Sequence, residues 1–212
     1  MITIPTADLT GVLADVLPFA STDKDLPDLN CVFLRWDGQQ LHATATDRQR
    51  IAIASWHPDD DTWGLVGDVQ DDLLSEFGGA EYAWQAVLDL ADTTQLVKVF
   101  KLPAKAGRTP VTVDVDQARG RVTVSRSRDT GYSALRATVD SQTVIFPDVR
   151  SAMTEAGAAV LKTDRVGHSA KALADFGKVR PQGPLVMTFT PTMTLVAIGE
   201  RFAGAIVPAK LG

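Results

Sequence analysis

The chain reads as an α+β protein assembled from one small unit used three times: a short strand, a helix, then three more strands. Two features predict this. Apolar and polar residues alternate over short stretches closed by Gly, Pro or Asp, the period of antiparallel strands. Between them lie segments whose apolar residues fall at helical spacing. The order repeats three times, with no residue identity visible between copies.

The first copy opens on the alternating start Ile2-Thr3-Ile4. Ala7 to Phe19 is a predicted helix, with Leu9, Val12, Leu13, Val16 and Leu17 at helical spacing and Pro18 to stop it. Strands follow over Asn30–Trp36, closed by the turn Asp37-Gly38, then Leu41–Thr46 and Arg50–Trp56. His57 to Gly67 reads as a loop. The second copy has a strand over Tyr82–Val87 and a helix over Asp89–Leu102, stopped by Pro103 and Gly107. Its three strands are Val111–Val115, Arg121–Ser125 and Ser133–Val139, and a further strand or short helix within Leu65–Phe77 stays open. Pro147 blocks a central strand, so Val144–Ala158 is expected to be an extended linker. The third copy has a strand over Ala159–Thr163 and a helix over Val166–Phe176. After the stiff break Pro181-Gln182-Gly183-Pro184 come strands Leu185–Thr190, Met193–Gly199 and Arg201–Val207.

A unit of this size buries little alone, and two packed together bury far more. Residues 1–148 are therefore expected to form one complete domain of two units, about 1–67 and 68–148. Residues 149–212 then hold a linker and a third unit with no partner in the chain, to be completed by another chain.

With 212 residues, 45% of them hydrophobic and 22% charged, the composition is that of a soluble globular protein. No apolar run approaches the length that spans a bilayer, and the N-terminus has neither basic start nor apolar signal core. The single cysteine, Cys31, sits in an apolar stretch and is expected to be a buried thiol. Together these point to the cytoplasm. The net charge of −5 argues against a general nucleic-acid binder, but its distribution is uneven. Lys98, Lys101, Lys105 and Arg108 lie in a stretch without acids. Five bases, Lys162, Arg165, Lys171, Lys178 and Arg180, face two acids between Lys162 and Arg180. The acids concentrate in Asp59-Asp60-Asp61, Asp68, Asp71 and Asp72. Such a division suits a protein with one surface turned to DNA.

Catalytic chemistry finds no motif. His42, His57 and His168 are scattered and the lone cysteine offers no C-x-x-C, so neither a zinc site nor any cofactor is expected. Phosphate-cradling glycine loops and a nucleophile elbow are also missing. Asp59–Asp61 reads as a solvated loop rather than a metal site, and Trp36 and Trp56 as packing residues on strands.

Three short segments carry a resemblance. Ala45-Thr46-Asp47-Arg48-Gln49-Arg50-Ile51-Ala52 resembles the "ATDGHRLA" segment of the bacterial DNA polymerase III β sliding clamp. Phe146-Pro147-Asp148-Val149-Arg150 resembles that family's "FPDYRR", and Ile206-Val207-Pro208-Ala209-Lys210-Leu211 its terminal "VMPMRL". They occur in the family's order. Arg48 and Gln49 stand where the family segment has glycine and histidine, and Ala209 and Lys210 replace methionine and arginine.

The resemblance implies a DNA-clamp fold, with helices lining a ring and antiparallel sheets outside. It implies a non-enzymatic processivity factor that encircles duplex DNA without reading bases. The lining candidates are Lys98, Lys101, Lys105, Arg108, Arg165, Lys171 and Lys178. A pocket for short peptides of a DNA polymerase and a clamp loader would use Thr46, Arg50, Ile51, Pro147, Arg150, Val207, Pro208 and Leu211. If twelve units close the ring, three per chain makes a tetramer, with a trimer next. The protein would be associated with a nucleoid, or with host cytoplasm if viral. The alternative is a clamp-like regulator that binds polymerase, loader or a host clamp without encircling DNA.

Overall fold

The computed structural model describes residues 1–58, 78–79, 82–106, 108–128, 131–161, 166–180 and 183–209. In chain order the elements are β1 (Ile2–Pro5), α1 (Thr6–Val16), β2 (Cys31–Trp36), β3 (Leu41–Thr46), β4 (Arg50–Trp56) and β5 (Gly78–Gly79). Then come β6 (Trp84–Asp89), α2 (Leu90–Phe100), β7 (Pro110–Asp116), β8 (Arg121–Arg126) and β9 (Leu135–Asp140). The last are α3 (Val149–Gly157), α4 (Ala170–Phe176), β10 (Leu185–Phe189), β11 (Thr194–Ile198) and β12 (Phe202–Ile206). The architecture is α+β with two antiparallel sheets, as the alternation predicts.

Three of the described helices begin where a side chain satisfies a free backbone N–H group. The Asp89 carboxylate accepts from Ala91 N, Asp148 from Ser151 N, and Ser169 Oγ from Ala172 N. Pro18 turns the end of the first predicted helix into a 3₁₀ turn over Leu17–Phe19. Leu9, Val12, Leu13 and Val16 of α1 are buried, as their spacing predicts, together with Ile2 and Ile4 of β1. Trp36, Trp56 and Cys31 are also buried.

The sheets show how the first two units interlock. One sheet runs β5-β1-β7-β8-β9, the other β10-β11-β12-β4-β3-β2-β6. The first strand of unit one, β1, pairs with β7 of unit two. The first strand of unit two, β6, pairs with β2 of unit one. This exchange is reciprocal, as two units about an approximate two-fold require. Helices α1 and α2 pack on each other and against the inner sheet faces.

The third unit continues the sheet of the first. β12 pairs antiparallel with β4, from Phe202↔Ala54 to Ile206↔Arg50, and Val207 N donates to Gln49 O at 2.8 Å. Phe176 of α4 is 1% exposed and enters the same core, its ring centroid 4.8 Å from that of Phe19 and 6.1 Å from that of Phe202. It lies over Gly204, where a Cβ would come within 2.7 Å of Ile51 O and 2.8 Å of Phe176 Cε1. Only glycine allows β4, β12 and the Phe176 ring to approach this closely.

Three local expectations also change. Val144–Ala158 is not extended throughout. Pro147 does bar a strand, but Asp148 then caps α3 by accepting the N–H and hydroxyl of Ser151. The helix expected over Val166–Phe176 starts at Ala170. Residues 166–169 are instead tied to the C-terminal segment, where Ala209 N donates to Gly167 O. Residues 159–161 form no strand, although Leu161 N donates to Phe189 O at 2.8 Å. The acidic run from Asp59, the open segment Leu65–Phe77, Lys162, Arg165, Pro181-Gln182 and Leu211 lie outside the described residues.

Candidate nucleic-acid interface and partner pocket

Among the described basic candidates, Lys98 lies on α2 and Lys171 on α4. α2 buries Thr93, Leu96 and Phe100 and leaves Lys98 exposed; Lys101, Lys105, Arg108, Lys171 and Lys178 are exposed too. Lys101 and Lys178 come from different units yet line one cavity of about 520 Å³, with Arg180 and the small α1 residues Ala7 and Ala14. The Lys178 ammonium is 2.6 Å from Asp175. Arg180 was not among the candidates, although it sits in the basic run. Its backbone N–H donates to Asp15 Oδ1 at 3.1 Å and its guanidinium lies 3.7 Å from the same oxygen. Burial pushes the Asp15 carboxyl up to about 6, against the pull of Arg180. A second link, Arg201 to Asp8 at 3.0 Å, also joins the third unit to α1. Both acids of α1 are thus paired with arginines of the third unit, which offsets the absence of bases in that helix.

The pocket candidates separate into three places. Thr46 pairs with Ile51 at the β3–β4 turn, and Val207, just past β12, bonds Gln49 in that turn, with Pro208 next in the chain. Pro147 and Arg150 line a cavity of about 410 Å³ with Phe33, Arg35, Thr44, Gln85 and Val87. The Phe146 ring stacks on Phe33 across 5.2 Å. Arg50 points to the other face of its strand. It bonds Asp47 at 2.7 Å, Asp175, and the Pro18 carbonyl at 3.0 Å, and its guanidinium lies 5.2 Å from the centroid of the Phe19 ring. Burial would lower its pKa, but the two carboxylates outweigh it and hold it above the ordinary value. Arg50 therefore joins units one and three.

The β3–β4 turn explains one departure from the family segment. Arg48 has φ of +72°, the left-handed region in which glycine is at ease. The turn is held by Asp47 Oδ1, which accepts from Gln49 N and Arg50 N, and by Thr46 Oγ1, which donates to Arg50 O.

Beside the 410 Å³ cavity, Arg35 and Arg150 repel each other. Burial and then Arg35 lower the Arg150 pKa, while Asp37 opposes them. Asp37 accepts from Gln39 N, Gln40 N and His42 Nε2. Burial alone would raise its pKa, but these donors bring it to about 2. Burial and Arg150 lower the His42 pKa, against the hydrogen bond and the charge of Asp37. Neither the Arg35–Arg150 pair nor the Phe33–Phe146 stack is legible in sequence, because the residues lie more than a hundred positions apart.

No group of three or more His, Cys, Asp or Glu among the described residues could hold a metal ion. No described helix is long and apolar enough to cross a membrane.

Two interlocked βαβββ units whose sheet is extended by a third make the DNA-clamp fold. Comparison with solved structures agrees: the chain is similar to β subunits of bacterial DNA polymerase III, the sliding clamps. Against the protein from Pseudomonas aeruginosa the TM-score is 0.68 at 12% identity, over 98% of this chain and 66% of that one. Against Thermotoga maritima it is 0.68 at 15%, over 100% and 66%. Against Bacillus subtilis it is 0.69 at 16%, over 100% and 64%. The chain thus spans just under two thirds of these clamps. No family model matches the sequence, and no curated protein matches it.

Proposed function

We propose that this protein is a DNA sliding clamp: several copies close around duplex DNA, hold a polymerase there through short peptides, and catalyse nothing. The observation that carries this reading is the match of nearly the whole chain to polymerase clamps, with exposed lysines on or just after α2 and α4. Phosphates at regular spacing attract such lysines without base readout, and topological linkage supplies persistence. Lys98, Lys101, Lys105, Arg108, Arg165, Lys171 and Lys178 line the channel, joined by Arg180. Peptides of the polymerase and its loader dock at Thr46, Ile51, Val207, Pro208 and Leu211, with Pro147 and Arg150 bordering the adjoining cavity. A Pseudomonas aeruginosa clamp is bound by griselimycin, so a clamp of this fold does accept a ligand.

A closed ring needs every sheet edge matched. Three units per chain favour four chains, about 91 kDa from 22.7 kDa each, and a trimer follows. Light scattering across protein concentration tests this. A stable multi-chain mass supports the ring. A single-chain mass at tens of micromolar removes encirclement by the free protein and favours the regulator reading.

A further inference from the structure

Among the described residues, the internal repeat leaves one strand edge without a partner strand. In units one and two, the strand that opens each three-stranded meander is covered by the first strand of the other unit: β2 by β6, and β7 by β1. β10 holds the same place in unit three. It pairs with β11 on one side, and among the described residues no strand pairs with it on the other. The direction of its backbone groups is fixed. Thr190 N bonds Met193 O within the β10–β11 hairpin, so by alternation Leu185, Met187 and Phe189 turn their N–H and C=O groups to the open edge. Only the Phe189 carbonyl has a partner recorded there, Leu161 N.

The side chains around this edge are those of an interface. Val186 is 61% exposed and Leu185 39%, and Val160 and Leu161 are 63% and 42% exposed where the chain passes the end of β10. Among the described residues these are four of the nine large hydrophobics left in solvent. α1 and α2 cover each other, whereas α4 presents Ala170 and Ala174, one helical turn apart, to solvent. Small residues at that spacing admit a closely packed second helix.

We propose that the β10 edge is an interface between two copies of this chain. Two third units pair about a two-fold axis, as units one and two do within the chain, and together complete the missing domain. An isologous contact suits an edge whose counterpart is the same unit. It rests on the multi-chain reading above and adds the place where chains meet.

Val186→Lys and Leu185→Lys, made separately, place a charge on the edge at exposed positions. Ile145→Lys is the control, since Ile145 is 90% exposed and lies elsewhere. Both edge variants should weaken association tenfold or more and halve the mass measured by light scattering, with an unchanged urea midpoint measured where the chains are monomeric. The control should keep the wild-type mass. A multi-chain mass that neither edge substitution alters overturns the β10 contact and leaves the ring reading standing. A two-chain wild type that both variants split supports the contact while contradicting the four-chain ring. A single-chain wild type at tens of micromolar overturns the contact.

Discussion

Replacing Phe176 by alanine tests whether the third unit is one body with the first. The ring is 1% exposed, packs edge-on to Phe19, faces Phe202 and covers Gly204. Truncating a ring buried in this way costs about 3–5 kcal/mol in lost transfer energy and residual cavity. The two aromatic contacts place Phe176 toward the upper end of that range. Against a total stability of about 5–15 kcal/mol, this is a large shift in the unfolding midpoint. Urea unfolding read by tryptophan fluorescence and far-UV circular dichroism is the assay. All four tryptophans precede residue 85, so fluorescence reports the first units although the substitution is in the third. The two signals should move together to lower urea. A loss below about 1 kcal/mol, or a separate early transition seen only by dichroism, would refute the shared core.

Further predictions follow from single residues. Arg48→Gly relieves about 1–2 kcal/mol of left-handed strain and costs about 0.5–1 in chain entropy, so the melting temperature should rise slightly; a fall would show the turn has another requirement. The buried Asp15 carboxyl holds its proton more tightly folded, at about 6, than unfolded, at 3.8. Its contribution is therefore most favourable below about pH 4, falls as pH rises to about 6, and is flat above. The decline is about 3 kcal/mol. Asp15→Asn should remove that decline and stabilise the protein at pH 7 but not at pH 4. Equal pH dependence in both proteins would contradict this. Lys98→Ala with Lys101→Ala should weaken DNA binding and reduce the slope of log affinity against log salt by about 1–2; an unchanged slope would take both lysines off the phosphates.

Much of the fold is legible in sequence because alternation and helical spacing are local. β3 and β4 match their predicted bounds and most other strands differ by a few residues, but residues 159–161 do not form the strand expected there and β5 was not foreseen. What escapes is set by contacts distant in sequence. Nothing near Phe202 announces that β12 will lie on β4, or that Phe176 will reach Phe19. Pro147 was informative about strands, but the Asp148–Ser151 cap that starts α3 outweighed the linker reading. The site divides in the same way. Exposed lysines follow from charge pattern, whereas Arg50, resembling a pocket residue by position, is taken up by Asp47 and Asp175. Arg180 was visible as a charge, but its place beside Lys101 depends on how the third unit meets α1.

The claim that this protein encircles DNA is tested most directly by its retention on nicked circular DNA in high salt, before and after one restriction cut. If a loader is needed to open the ring, the protein is closed around the circle with one. A topologically linked ring survives the wash on the circle and slides off once it is linear. Equal retention on circle and line, or release from both by salt alone, would contradict encirclement.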